Sequence, residues 1–207
     1  MPSLTVRSMA EMLRLPAYEQ LRILAEQKHP KQAPQIFRTP YYQPAIAGVR
    51  SYYASGNDRS KLSAAKSKAL SASQPSRRDN LIRVIDKFET TPAALRSLSI
   101  MKHTKYTAAI GDLQLRLSPD IQALDGEKPV FIYYNCRSIK LDEEAAKLTL
   151  EIAHWVLDEN GINVKPIQIE YLDLATGVLH QVKTRRPTTV KALKNNARII
   201  SALWPTI

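Results

Sequence analysis

The chain has one cysteine, six glycines and no long apolar run, and each shortage closes off a class of protein. Cys136 alone cannot form an internal disulfide, so the fold must stand on its hydrophobic core. The histidines, His29, His103, His154 and His180, are scattered, and no Cys/His spacing resembles a zinc site. No apolar stretch approaches the roughly 18 to 20 residues that a bilayer span requires. Met1–Arg22 mixes charges and prolines where a secretory leader would carry an apolar block. A reducing, cytoplasmic setting without a membrane partner is therefore expected. Thirteen prolines against six glycines imply stiff connections and one continuous unit.

What the chain does have is positive charge. Thirty Lys/Arg against 19 Asp/Glu give +11. Residues 1–100 hold 16 bases against 7 acids, or +9, and residues 101–207 hold 14 against 12, or +2. Such an excess favours polyanions, nucleic acid first, although a basic surface also serves solubility alone. The excess is densest between Arg50 and Arg78, in a stretch of short helical runs broken by Ser, Gly and Asn. There Arg50, Arg59, Lys61, Lys66, Lys68, Arg77 and Arg78 are the expected phosphate contacts, and Arg185 and Arg186, just ahead of a helix, form a second patch. Tyr52 and Tyr53 fit either base stacking or core packing.

Apolar spacing predicts two short helices from Ser3 to Lys28, interrupted at Pro16. They lack the Gly turn and polar recognition face of a helix-turn-helix. Four prolines in 29–47 predict an extended connection, and Asp79 is placed to cap a helix running to Phe88. A short helical piece near Ala93–Leu98 follows. Strand-like alternation then predicts three consecutive strands near 105–117, 119–124 and 129–135. Leu141–Asn160 reads as an amphipathic helix, Pro166–Leu172 and Val178–Val182 as paired strands, and the chain from Thr188 as a last helix. The fold class is α/β (α+β). A basic, mostly helical region over 1–90 is followed, over 91–207, by a mixed β-sheet flanked by helices.

Pro119–Asp120, then ten residues, then Phe131–Ile132–Tyr133–Tyr134–Asn135, within this order of elements, resembles the PD-(D/E)XK restriction-endonuclease-like family. The resemblance covers roughly 80–200. It implies a metal-binding acid at Asp120, a second acid on the next strand, a Lys two residues beyond it, and a Glu on a preceding helix, for which Glu89 is available. The chain departs from that pattern. Tyr133 stands where the second acid belongs and Asn135 where the Lys belongs. A phenol gives magnesium no hard anionic ligand, and a carboxamide has no charge to set against phosphate. Shifting the register by one offers only Tyr134 and Cys136.

Three functions follow from these residues. The first is a nucleic-acid-binding protein of bacterial or phage type with an inactive or divergent nuclease-like domain and no cofactor. Its partner would be DNA rather than RNA, or a protein that handles nucleic acid. The second is an active Mg2+- or Mn2+-dependent phosphodiesterase that pairs Asp120 with a relocated acid (Asp112, Asp125 or Glu151) and a Lys from the following helix (Lys140 or Lys147). The third is a protein-interaction scaffold of a bacterial or phage system. Asp120 could equally be a turn residue capping local amides.

Overall fold

The computed structural model describes residues 2–29 and 41–207. A short strand β1 (Ser3–Thr5) opens the chain, and Thr5 caps the next helix, α1 (Val6–Met12), by accepting from the Ser8 amide. Pro16 ends the following turn and starts α2 (Ala17–Lys28), as its fixed φ and missing N–H dictate. Most of the proline-rich connection expected over 29–47 lies outside the described residues. Its end does not remain extended, because Pro44 falls in the first turn of α3 (Gln43–Ala54), where a missing N–H costs nothing. Asp58 caps α4 (Arg59–Leu70). The next helix, α5 (Pro75–Glu89), begins at Pro75, four residues before the expected cap at Asp79.

Gly48 sits in mid-helix for a steric reason. A Cβ there would lie 2.5 Å from Ala65 Cβ, so the glycine lets α3 and α4 approach closely.

A 3-10 turn over Pro92–Leu95 leads to a strand that periodicity does not reveal, β2 (Leu98–Ile100). The run expected as one strand over 105–117 is a hairpin, β3 (Tyr106–Ile110) and β4 (Leu113–Leu117), reversed at Gly111–Asp112. It joins β1 in a three-stranded sheet, order β1-β4-β3, with β1 parallel to β4. The second sheet adds β5 (Ile121–Asp125), β6 (Lys128–Asn135), β7 (Ile169–Asp173) and β8 (Val178–His180) in the order β2-β5-β6-β7-β8. The Asp125–Gly126 turn connects β5 to β6 with Gly126 at φ 62°. Helix α6 (Glu143–Glu159), capped by Asp142, crosses between β6 and its parallel partner β7, and α7 (Pro187–Leu203) closes the chain. The architecture is mixed α/β.

β6 is buried on both faces because it separates two cores. Phe131 and Tyr133 point into one, with α1, α6, α7 and the three-stranded sheet. Val130, Ile132 and Tyr134 point into the other, against α3, α4 and α5. Each core takes residues from both sides of position 90. Among the described residues, no helix is long and apolar enough to cross a membrane.

Candidate functional site

The site is built where the start of β5, the end of β6 and helix α1 meet. Asp120 is fixed at the entry to β5 by its backbone: its N–H donates to Ile132 O at 2.8 Å, and its carbonyl accepts from Arg50 Nε at 2.7 Å. Its carboxylate accepts from the Tyr134 amide at 2.8 Å, a bond across the strand pair instead of within a turn. The same oxygen forms a close ion pair with the Arg7 guanidinium. Arg7, projecting from the first turn of α1, also lies 4.8 Å from the centre of the Tyr133 ring and 5.5 Å from that of Tyr171. Burial disfavours the Arg7 cation, but Asp120, with Tyr171 and Tyr133 beside it, outweighs burial and holds the pKa above the ordinary value.

Tyr133 is fully buried against Tyr171, with ring centres 5.7 Å apart, and burial raises its phenol pKa. It is a neutral wall for Arg7. Asn135 is also structural: its Nδ2 donates to Asp173 Oδ1 and to Ile139 O, both at 2.8 Å, and its Oδ1 accepts from the Arg137 amide. Asp173 further accepts from the Leu141 and Ala175 amides and the Thr176 hydroxyl. Desolvation would raise the Asp173 pKa, but these bonds hold it below the ordinary carboxylate value. Asn135 and Asp173 therefore shape the loop between β6 and α6. Cys136 lies beside it, its thiol pushed up to about 12 by burial and so inert as a nucleophile.

The residues present do not fit the divalent metal that the resemblance implies. Among the described residues no group of three or more His, Cys, Asp or Glu could hold one. The acids named as substitutes lie elsewhere, and Asp125 and Glu151 are paired there. Asp125, at the far end of β5, pairs with Arg96 at 2.7 Å. Asp112 lies in the β3–β4 turn, lining a different hollow with Trp155 and Lys194. Glu151, 2% exposed, accepts from Arg186 Nε at 2.8 Å and from the Thr189 hydroxyl. Glu89 pairs with Lys66 at 2.5 Å. Of the two lysines, Lys147 pairs with Glu143 at 2.8 Å, and Lys140 is exposed in the β6–α6 loop.

The expected phosphate contacts divide into two groups. Arg59 and Lys68 are exposed on α4 without an ion pair among the described residues, and Lys61 has only Asp58 at 3.9 Å. Arg50 faces Asp120 as described, Arg77 packs over Tyr41 at 5.6 Å, and Arg78 meets Asp79 at 3.3 Å. Lys66 is consumed in pairs with Asp86 and Glu89 that tie α4 to α5. Arg185 pairs with Asp158 and Arg186 with Glu144 and Glu151, so this pair joins the start of α7 to α6. Tyr52 and Tyr53 are buried, and their hydroxyls donate to the Ala94 and Ala93 carbonyls; they belong to the core.

The residues that sequence reasoning did not single out are Arg7, Tyr171 and Asp173. Only Asp173 carried a local signal, as the acid of an Asp–Leu–Ala–Thr–Gly turn. No family model, no curated protein and no solved structure matches this chain.

Proposed function

We propose that the chain binds nucleic acid through its arginine- and lysine-bearing surface, and that its nuclease-like centre has exchanged metal chemistry for a structural ion pair. The observation that carries this reading is the pairing of Arg7 with Asp120. A guanidinium occupies the carboxylate on which a divalent ion would have to sit. The order of elements supports the likeness to PD-(D/E)XK nucleases: α5, then β2, β5 and β6 as antiparallel neighbours, then α6 and the parallel strand β7. In this arrangement β2 takes the first-strand place and the β3–β4 hairpin is an insertion. The net charge of +11 supports a polyanionic partner. DNA in a bacterial or phage cytoplasm is the setting this reading favours.

The test is binding of labelled DNA and RNA across a salt series by the wild-type protein and by Arg59→Glu/Lys61→Glu/Lys68→Glu. Salt-sensitive binding that weakens and loses slope in the variant supports the assignment. Equal binding by both proteins removes it.

A further inference from the structure

The larger sheet ends at β2, and among the described residues no strand pairs with its outer side. Its ladder with β5 fixes which backbone groups are left over. The two strands run antiparallel, with Ser99 opposite Leu124 and Ile100 opposite Ala123, and just beyond them Met101 N donates to Gln122 O at 2.9 Å. Bonded and non-bonded pairs alternate in such a ladder, so Ser99 bonds to Leu124, whereas Leu98 and Ile100 turn their N–H and C=O groups away from β5. Two residues before Leu98, the Arg96 carbonyl accepts from Asn57 Nδ2 at 3.0 Å. No bond among the described residues meets the outward groups of Leu98 or Ile100.

This edge faces a groove. A hollow of about 430 Å3 lies between β2 and the end of α3, lined by Tyr53, Ala54, Asn57 and residues 97–100. A smaller one of about 100 Å3 shares Ile100 and adds Arg50, Met101 and His103. No carboxylate lines either hollow. Arg50 has no ion pair among the described residues, since its Nε donates to the backbone carbonyl of Asp120, and the exposed Lys102 and Lys105 flank His103. The groove is therefore neutral along β2 and positive at one end.

A nucleic-acid strand has no backbone donor to offer the carbonyls of Leu98 and Ile100, whereas an extended peptide presents N–H and C=O groups at the spacing of the strand itself. The wall that α3 forms along the groove also hinders a second copy, whose β2 lies behind the same wall. We propose that β2 takes up an extended acidic segment of a partner protein as an added strand, its backbone pairing with Leu98 and Ile100 and a carboxylate lying against Arg50 and His103. This site does not depend on the proposed nucleic-acid binding.

The test is selection from a library of random peptides displayed on phage, about ten residues long so as to span the groove at about 3.4 Å per residue. The library is selected on the wild-type protein and depleted on Ala54→Trp. Ala54 is exposed at the end of α3, so the indole fills the groove without entering the core. Recovered peptides should carry Asp or Glu toward one end, and His103→Glu should weaken them. Ile100→Pro should bind them about tenfold or more weakly, the value of one backbone hydrogen bond left unmade. Proline is tolerated at an outward-facing position of an edge strand, and a thermal melt verifies the fold. N-methylation of alternate peptide amides should cause the same loss with the protein unchanged. No peptide that prefers the wild-type protein to Ala54→Trp overturns the site, as does affinity indifferent to both Ile100→Pro and N-methylation. Selected peptides without acids overturn the acidic partner. A dimer of the wild-type protein that Ile100→Pro dissolves assigns the edge to a second copy and overturns the proposal as well.

Discussion

The guanidinium of Arg7 rests on the carboxylate of Asp120, joining residues 113 positions apart. This contact ties the first helix to the strand pair at the heart of the larger sheet, and it decides what Asp120 can do. The carboxylate meets a half-buried guanidinium and accepts the Tyr134 amide as well, so its oxygen is satisfied from within the fold.

Arg7→Met should destabilise the protein by about 2–4 kcal/mol, because it strands a mostly buried carboxylate and strips the cation from between two tyrosine rings. Arg7→Met/Asp120→Asn should recover a large part of the loss. Denaturant midpoints for both single variants and the double variant measure the coupling; additive losses would mean the pair is inert.

Gly48→Ala, although it raises helix propensity, should cost about 1–3 kcal/mol, since the new methyl meets Ala65 at 2.5 Å. A higher melting temperature for the variant would show that α3 and α4 can separate at no cost.

Arg186→Gln should reduce stability by about 2–4 kcal/mol while leaving DNA affinity almost unchanged, because it unpairs Glu151 in the core. Salt-slope measurements alongside thermal melts separate the two effects. A loss of binding at full stability would restore Arg186 to the nucleic-acid surface.

Stability should decline in two acid steps. The His154 pKa is lowered from 6.5, chiefly by burial and despite the Val164 carbonyl that accepts from its ring, with Arg185 acting in the same direction as burial. The unfolded chain therefore takes up the proton first, and stability is lost as pH falls below about 6.5. Asp173 is held below its ordinary value, so its contribution is present above about 4 and is lost as pH falls further. Unfolding free energies at a series of pH values should show both steps, with His154→Gln removing only the upper one.

The sequence announces its long amphipathic elements well. Leu148, Ile152, Trp155 and Val156 made α6 legible, and the apolar run before Asn135 made β6 legible, since local pattern and burial agree there. β1 and β2 escaped because three residues carry no period; they exist through pairing with β4 and β5. The hairpin inside 105–117 was hidden by alternation that continues past Gly111. At the site, position singled out Asp120, Tyr133 and Asn135, but their partners come from elsewhere in the chain. Arg7 is one base among 30 until the fold brings α1 against Tyr133. Likewise Arg185 and Arg186 look free in sequence, and only the packing of α7 on α6 supplies their acids.

The most direct test of the central claim is an assay of cleavage and binding together, with labelled single- and double-stranded DNA and RNA in magnesium, in manganese and in chelator, for the wild-type protein and Asp120→Asn. Salt-sensitive binding that is indifferent to chelator is expected, with no cleavage under any condition. Metal-dependent cleavage that disappears in Asp120→Asn would contradict it, and would mean that Arg7 yields its place to a metal ion.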